Sequence, residues 1–462
     1  MSLVSALQAS LSAGGVITNA EDMAPYLSDW RGMFHGDAVC VVRPANVAEL
    51  ARVVTLASEQ DVAIVPQGGN TGLAGGATPL QGRRQLLLSL TRMSRIRSID
   101  RAGMTMAVEA GCVLETAKLA AAKKGRQLPI GFAAEGSATI GGMLSTNAGG
   151  VNALRYGTAR QLVLGLEAVL ADGTIVDGMR NLRKDNAGYD WKQILIGSEG
   201  TLGIITAAVL RLAPVAKERA VAFVALDSPE HALELLEFLH DRVGDAVTAF
   251  ELMSRASADR VVAFVGGRIP CNAAPWYVLV ETSDHAPDLA GRLESALADF
   301  AENTGSLQDA AVAQSISQAK EMWALRENMG EAERHAGRSV KHDVAVGVSD
   351  VPAFMAEASR AVMSISNGLD INAFGHLGDG NIHFNVLGSA DRETDYRINH
   401  TVHDVVSKFN GSIAAEHGIG QYRVKELQRV KSATEHMLMM RLKTALDPDS
   451  LLNPGKILPR SV

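Results

Sequence analysis

The sequence predicts an α+β protein in two main parts with a C-terminal segment that folds back. Three observations carry this. Residues 1–215 are rich in glycine and alternate short apolar strands with helices. A second region, starting near Lys217, mixes strands and helices as a layered α+β unit does. The chain then ends in LDPDSLLNPGKILP, whose Asp, Pro and Gly density fits a loop laid back onto something rather than a free tail. A length of 462 residues exceeds one ordinary core and implies two or three domains.

The elements follow in order. Asn46 caps a helix whose apolar stripe is Val47, Leu50, Val53 and Val54. Residues 62–65 read as a buried strand running into a glycine-rich turn. Residues 114–124 form a helix ended by Gly125. In the second region, 220–226 is a strand. Ser228-Pro229 then opens an amphipathic helix carrying Leu233, Leu236 and Leu239. A strand follows at 276–280, and Pro287 opens a helix. Later come a strand at 340–346, a helix from Pro352 and a strand at 371–374. The layer is expected to carry its helices on one face.

Composition excludes several classes. Hydrophobic residues make up 47% and charged residues 21%, an ordinary globular balance. The net charge of -7 and the absence of a Lys/Arg run argue against nucleic acid. Cys40, Cys112 and Cys271 are far apart and form no CxxC pair, which fits idle thiols in a reducing compartment. No apolar run reaches the ~18 residues of a transmembrane helix. The N-terminus lacks a basic stretch ahead of its apolar residues, so a cytoplasmic protein is expected.

Three glycine-rich segments stand out. The first is Pro66-Gln67-Gly68-Gly69-Asn70-Thr71-Gly72-Leu73-Ala74-Gly75-Gly76. Backbone without Cβ atoms can bring its N–H groups close to a pyrophosphate. It is neither a Walker A loop nor a Rossmann fingerprint, and glycines alone fit a structural turn as well. The second, 131–150, holds two Gly-Gly pairs among small residues, more glycine than a core helix tolerates. The third is GSEGTLGII at 197–205.

Together they resemble the FAD-binding domain of the vanillyl-alcohol oxidase (PCMH-type) family, whose hallmarks are P-x-G-G-N/H-T/S-G-L, T-x-G-G-x-x-x-T/S-N-x-x-G and G-S-E-G-T-L-G-I-I/V-T. The resemblance implies an FAD-binding domain at 1–215, a substrate (cap) domain at 216–417 and a segment at 418–462 returning to the FAD domain. It implies FAD contacts from Pro66, Gly68, Gly69, Asn70, Thr71, Gly72 and Leu73. The second segment would add Gly136, Ser137, Thr139, Gly141, Gly142, Ser145, Asn147, Gly149 and Gly150. The third would add Glu199, Gly200, Gly203, Ile204 and Ile205, with Asn453 from the returning segment. Many members attach FAD through a His near the first loop. Here that stretch reads Gly69-Asn70-Thr71, so FAD is expected to be non-covalent.

Four further residues sit in polar, glycine-flanked motifs. GHLGDGNIHFN holds His376 and His383 around a turn, and AAEHGIG holds Glu416 and His417. Two imidazoles and a carboxylate make a known divalent-metal ligand set. On spacing alone, hydrogen-bonded core histidines remain the commoner reading. Glu416 and His417 face opposite ways in a regular strand, so sharing a site requires a bent backbone.

These motifs resemble the D-lactate, glycolate and D-2-hydroxyglutarate dehydrogenase branch of the same family. The resemblance implies a zinc-like ion on His376, His383 and Glu416, with His417 as the base and Asn385 touching substrate. Arg326 in WALRE and Lys341 in VKHDV match the Arg and Lys that bind a distal carboxylate in the hydroxyglutarate enzymes. Their companion Thr is replaced here by Gly330, which leaves D-lactate and D-malate open. The implied reaction is oxidation of a D-2-hydroxy acid. The ion would chelate the C1 carboxylate and C2 hydroxyl, His417 would take the proton, and hydride would pass to flavin N5. Electrons would leave to electron-transfer flavoprotein or a quinone, and a homodimer is compatible. Three alternatives stay open: a flavin-free metal hydrolase, which leaves the glycine segments unexplained; a redox-neutral relative of the alkylglycerone-phosphate synthase branch; and a non-catalytic binding protein.

Overall fold

The computed structural model describes residues 2–459. The chain divides into two compact units. One comprises residues 2–149, 158–215 and 416–459; the other comprises 150–157 and 216–415.

The first unit holds a four-stranded and a five-stranded sheet. In the smaller sheet, Val41–Val42 and Ala63–Gln67 flank Gln85–Ser89, all parallel. The connecting helix, Val47–Ser58, begins where Asn46 Oδ1 accepts from Glu49 N at 2.9 Å. It buries Leu50, Val53, Val54, Leu56 and Ala57. The larger sheet is antiparallel, in the order Ile96–Asp100, Thr105–Glu109, Ile204–Arg211, Val163–Val169, Ile175–Gly178. Helix Leu114–Lys123 stops at Gly125, which has φ +66°.

The C-terminal stretch is more regular than its composition indicates. Helices Val424–Val430 and Ala433–Leu446 precede the loop. The loop then runs along Ala63–Gln67, with Ile64 N donating to Leu451 O at 2.8 Å and Asn453 N to Ile64 O at 2.7 Å. The division between units falls before Glu416, and residues 150–157 pack with the second unit.

The second unit is built on an eight-stranded antiparallel sheet. Its path runs Leu307–Val312, Glu218–Leu226, Trp276–Asp284, Val247–Ser254, Asp370–His376, Asn381–Leu387, Ser339–Val340, and Asp343–Ala345 also pairs with Asn381–Leu387. The expectation of helices on one face is corrected. Every residue from Ala220 to Leu226 is buried, so both faces are covered. Val221, Phe223 and Ala225 pack with Ala258, Val261, Met322, Trp323 and Leu325. Helices Pro229–Val243 and Leu289–Thr304 also pack on the sheet. The latter starts after Asp288, two residues later than Pro287 indicates. The strand expected at 340–346 is interrupted at Lys341 and His342. There His342 N donates to the Asn385 side chain at 3.0 Å instead of to a neighbouring backbone.

Candidate active site

In the first unit the strand Ala63–Gln67 delivers the first glycine loop. Gln67 Nε2 donates to Tyr26 O and Ala77 O, each at 3.0 Å, and so ties the two ends of the loop. Asn70 adopts φ +54° and its Nδ2 donates to Ser28 O at 2.8 Å. A Cβ on Gly69 would overlap Ser137 O, and one on Gly68 would strike Thr139 Oγ1. These two glycines therefore let the first segment lie on the second. Among the described residues, the N–H groups of Gly69, Asn70, Thr71 and Gly72 donate to no protein acceptor. A run of unpaired donors at a half-exposed loop suits a pyrophosphate.

Thr139 caps the helix Ile140–Thr146, its Oγ1 accepting from Gly142 N at 3.3 Å. Asn147 follows at φ +53°, its Oδ1 accepting from Arg160 N at 2.9 Å and Thr158 Oγ1 at 3.0 Å. The third segment packs on the second through Glu199 N, which donates to Ser145 O at 2.8 Å. The Glu199 carboxylate turns away to accept from Ile419 N at 2.7 Å and Gly420 N at 2.8 Å. Burial pushes its pKa up, and those two amides only partly offset this. Asn453 Nδ2 donates to Glu199 O at 2.7 Å and Gly76 O at 2.9 Å, while its buried Oδ1 has no partner among the described residues. That orphaned acceptor and the unpaired loop amides fit a cofactor laid along these segments. Of the expected cofactor residues, Gly150 lies in the second unit.

Glu416 and His417 open the last stretch of the first unit. The backbone bends there, with φ +72° at Gly418 and +52° at Gly420. A Glu416 oxygen and a His417 ring nitrogen lie within 4.8 Å of each other, so the two adjacent side chains do share one side. Gly418 must lack a Cβ, which would sit 2.8 Å from Glu199 Oε1. The EHGIG and GSEG motifs are thus two halves of one packed feature.

In the second unit, His376 ends the strand Asp370–His376 and His383 lies on Asn381–Leu387. The intervening turn uses Gly380 at φ +80°. The hairpin brings ligand nitrogens of the two histidines within 4.8 Å. His376 is buried, and its Nδ1 lies 2.7 Å from Glu251 Oε1. The other oxygen of Glu251 accepts from Arg326 Nε at 2.7 Å. Burial alone would raise the Glu251 pKa, but His376 and Arg326 beside it bring it below the ordinary carboxylate range. An imidazole held at Nδ1 by a carboxylate is the usual arrangement of a metal-binding histidine.

Lys341 and Asn385 meet at a second buried carboxylate. Glu333 Oε1 lies 2.8 Å from Lys341 Nζ, and Oε2 accepts from Asn385 Nδ2 and Asn372 Nδ2, each at 2.6 Å. Burial opposes its ionisation, yet Lys341 and these donors hold its pKa low. Gly330 sits in the helix Met329–Ala336 with open space where a side chain would project. Sequence reasoning missed Glu251 and Glu333. Glu251 carried a signal, being a lone charge inside the apolar strand VTAFELMS. Glu333, in a polar helix, carried none.

The comparisons fit this layout. Residues 38–178 match the family described as FAD binding domain, and residues 215–457 match FAD linked oxidases, C-terminal domain. A probable D-2-hydroxyglutarate dehydrogenase, mitochondrial, of Oryza sativa subsp. japonica is 37% identical over 99% of this chain and 82% of its own length. A D-2-hydroxyglutarate dehydrogenase of Xanthomonas citri pv. viticola is 36% identical over 98% of this chain and 96% of its own length. Among solved structures, p-cresol methylhydroxylase with substrate bound superposes with a TM-score of 0.78 at 17% identity, covering 99% of this chain and 96% of that one. Among the described residues no helix is long and apolar enough to cross a membrane.

Proposed function

The chain belongs to the FAD-linked oxidase family and is an FAD-dependent dehydrogenase, and from that premise we propose that it oxidises D-2-hydroxyglutarate to the 2-oxo acid with the help of a divalent metal, zinc being the best candidate. The observation that carries the reading is the His376–His383 hairpin, whose His376 shares Glu251 with Arg326. One unit thereby offers metal ligands and a carboxylate-binding guanidinium in a single hydrogen-bonded cluster.

When bound, FAD supplies a two-electron acceptor for hydride at N5 and the ion a Lewis acid. The three glycine segments and Asn453 would hold FAD, non-covalently. His376 and His383 would supply two ligands to the ion, and Glu416 is the third ligand that the resemblance implies. His417 would take the C2 hydroxyl proton as general base. Arg326 receives the distal carboxylate on its Nη groups, which donate to no protein acceptor among the described residues. Lys341 and Asn385, fixed by Glu333, complete the substrate contacts. Electrons leave to an external acceptor, electron-transfer flavoprotein or a quinone.

The test is an anaerobic titration of the yellow protein with D-2-hydroxyglutarate, D-lactate and D-malate in parallel. The proposal expects rapid bleaching by D-2-hydroxyglutarate at the lowest concentration. Preferential bleaching by another acid would reassign the Arg326 and Lys341 contacts. Bleaching by none would contradict the proposed chemistry.

A further inference from the structure

Glu251 belongs to neither the expected ligand set nor the expected substrate set, yet it touches one member of each. It lies on Val247–Ser254, a strand hydrogen-bonded on both sides, to Trp276–Asp284 and to Asp370–His376. Across that second pairing it stands directly opposite His376. Its side chain is 1% exposed, so its oxygens are shielded from bulk solvent. Both oxygens are spent, Oε1 on His376 Nδ1 and Oε2 on Arg326 Nε, each at 2.7 Å. Arg326 is also confined from below, its guanidinium lying 5.1 Å from the Phe374 ring centroid.

One short, rigid carboxylate therefore fixes an imidazole and a guanidinium at the same time. We propose that Glu251 is a positioning residue that sets the span between the metal end and the distal-carboxylate end of the substrate. Metal affinity and preference for a diacid over a monoacid are then set by the same side chain. This rests on the proposed function. The physical reason is direct. Without the carboxylate, His376 loses the partner that fixes its tautomer and ring angle. Arg326, one of the longest and most mobile side chains, loses the bond that aims its Nη edge.

A buried Arg–Glu pair that served stability alone would weaken the fold and affect all substrates alike. The test separates these. Glu251→Gln keeps the volume and one acceptor but removes the charge. Zinc affinity of the metal-stripped flavoprotein is measured by competition with a chromophoric chelator. KM and kcat are measured for D-2-hydroxyglutarate and D-lactate. The proposal expects zinc affinity to fall about 10–100-fold, and the KM ratio of diacid to monoacid to rise about tenfold. A second variant, Arg326→Met, removes no expected ligand. Its zinc affinity is nonetheless expected to fall about threefold or more, because it releases Glu251. Wild-type zinc affinity in both variants, or equal losses on both substrates, would overturn the inference. A wild-type protein that binds no zinc, or is reduced by neither acid, would instead overturn the reading it rests on.

Discussion

Single side chains carry the chemistry, and their roles divide by what they touch. His417 shares one side with Glu416 because the chain bends at Gly418 and Gly420. His417→Ala is expected to keep its FAD and lose about 100-fold or more in kcat; a near-normal kcat in a steady-state assay would remove it as the base. Gly330 is the position at which the resemblance implies a Thr in the hydroxyglutarate enzymes, and space for a side chain is open there. Gly330→Thr is expected to lower KM for D-2-hydroxyglutarate, leave D-lactate unchanged, and raise helix stability by ~0.3 kcal/mol. An unchanged KM ratio would show that this position does not face substrate. At this scale the histidines, Glu416, Arg326, Lys341 and Asn385 could be named from motifs. Their carboxylate partners Glu251 and Glu333 could not, because both pairings join residues more than 50 apart or bury an unremarkable helical Glu.

At the scale of elements, glycines decide how the flavin unit closes. Gly69 lies on Ser137 O, so Gly69→Ala forces two loops apart. Overpacking of this kind costs about 1–3 kcal/mol. The variant is expected to melt earlier and to lose flavin on dilution, read from the visible absorbance; full retention of FAD would show that the loops can shift without harm. Strand and helix positions were largely legible from periodicity, as at Ala63–Gln67, Pro229–Val243 and Trp276–Asp284. The break at Lys341 and His342 was not, since a side chain, Asn385, replaces the ladder there. The helix Ala433–Leu446 was missed despite a readable sign. Ser432 and Glu435 form a capping box, with Glu435 N donating to Ser432 Oγ at 3.2 Å and Ser432 N to Glu435 Oε2 at 3.1 Å.

Across the whole molecule, the two units have different means of holding their groups. The first offers backbone amides, glycines and an orphaned amide oxygen, with Glu416 and His417 at the start of its last stretch. The second offers imidazoles and cations, with Arg326 set against Glu251 and Lys341 against Glu333. Each of those cations is matched by a buried carboxylate, so their net charge would contribute little attraction for the proposed dianionic substrate, and the proposed ion would supply much of it. The α+β class and the glycine-rich half were legible because backbone requirements are written in composition. The exchange of residues 150–157 into the second unit and the division before Glu416 were not, because they depend on packing alone. The segments proposed to hold FAD contain none of the proposed metal ligands, so removing the metal is expected to leave FAD bound. The most direct test is the rate of anaerobic flavin bleaching by D-2-hydroxyglutarate before and after dialysis against a strong chelator. The account predicts a protein that stays yellow, bleaches at least about 100-fold more slowly, and regains its rate when zinc is restored. Bleaching at the original rate after verified metal removal would contradict it.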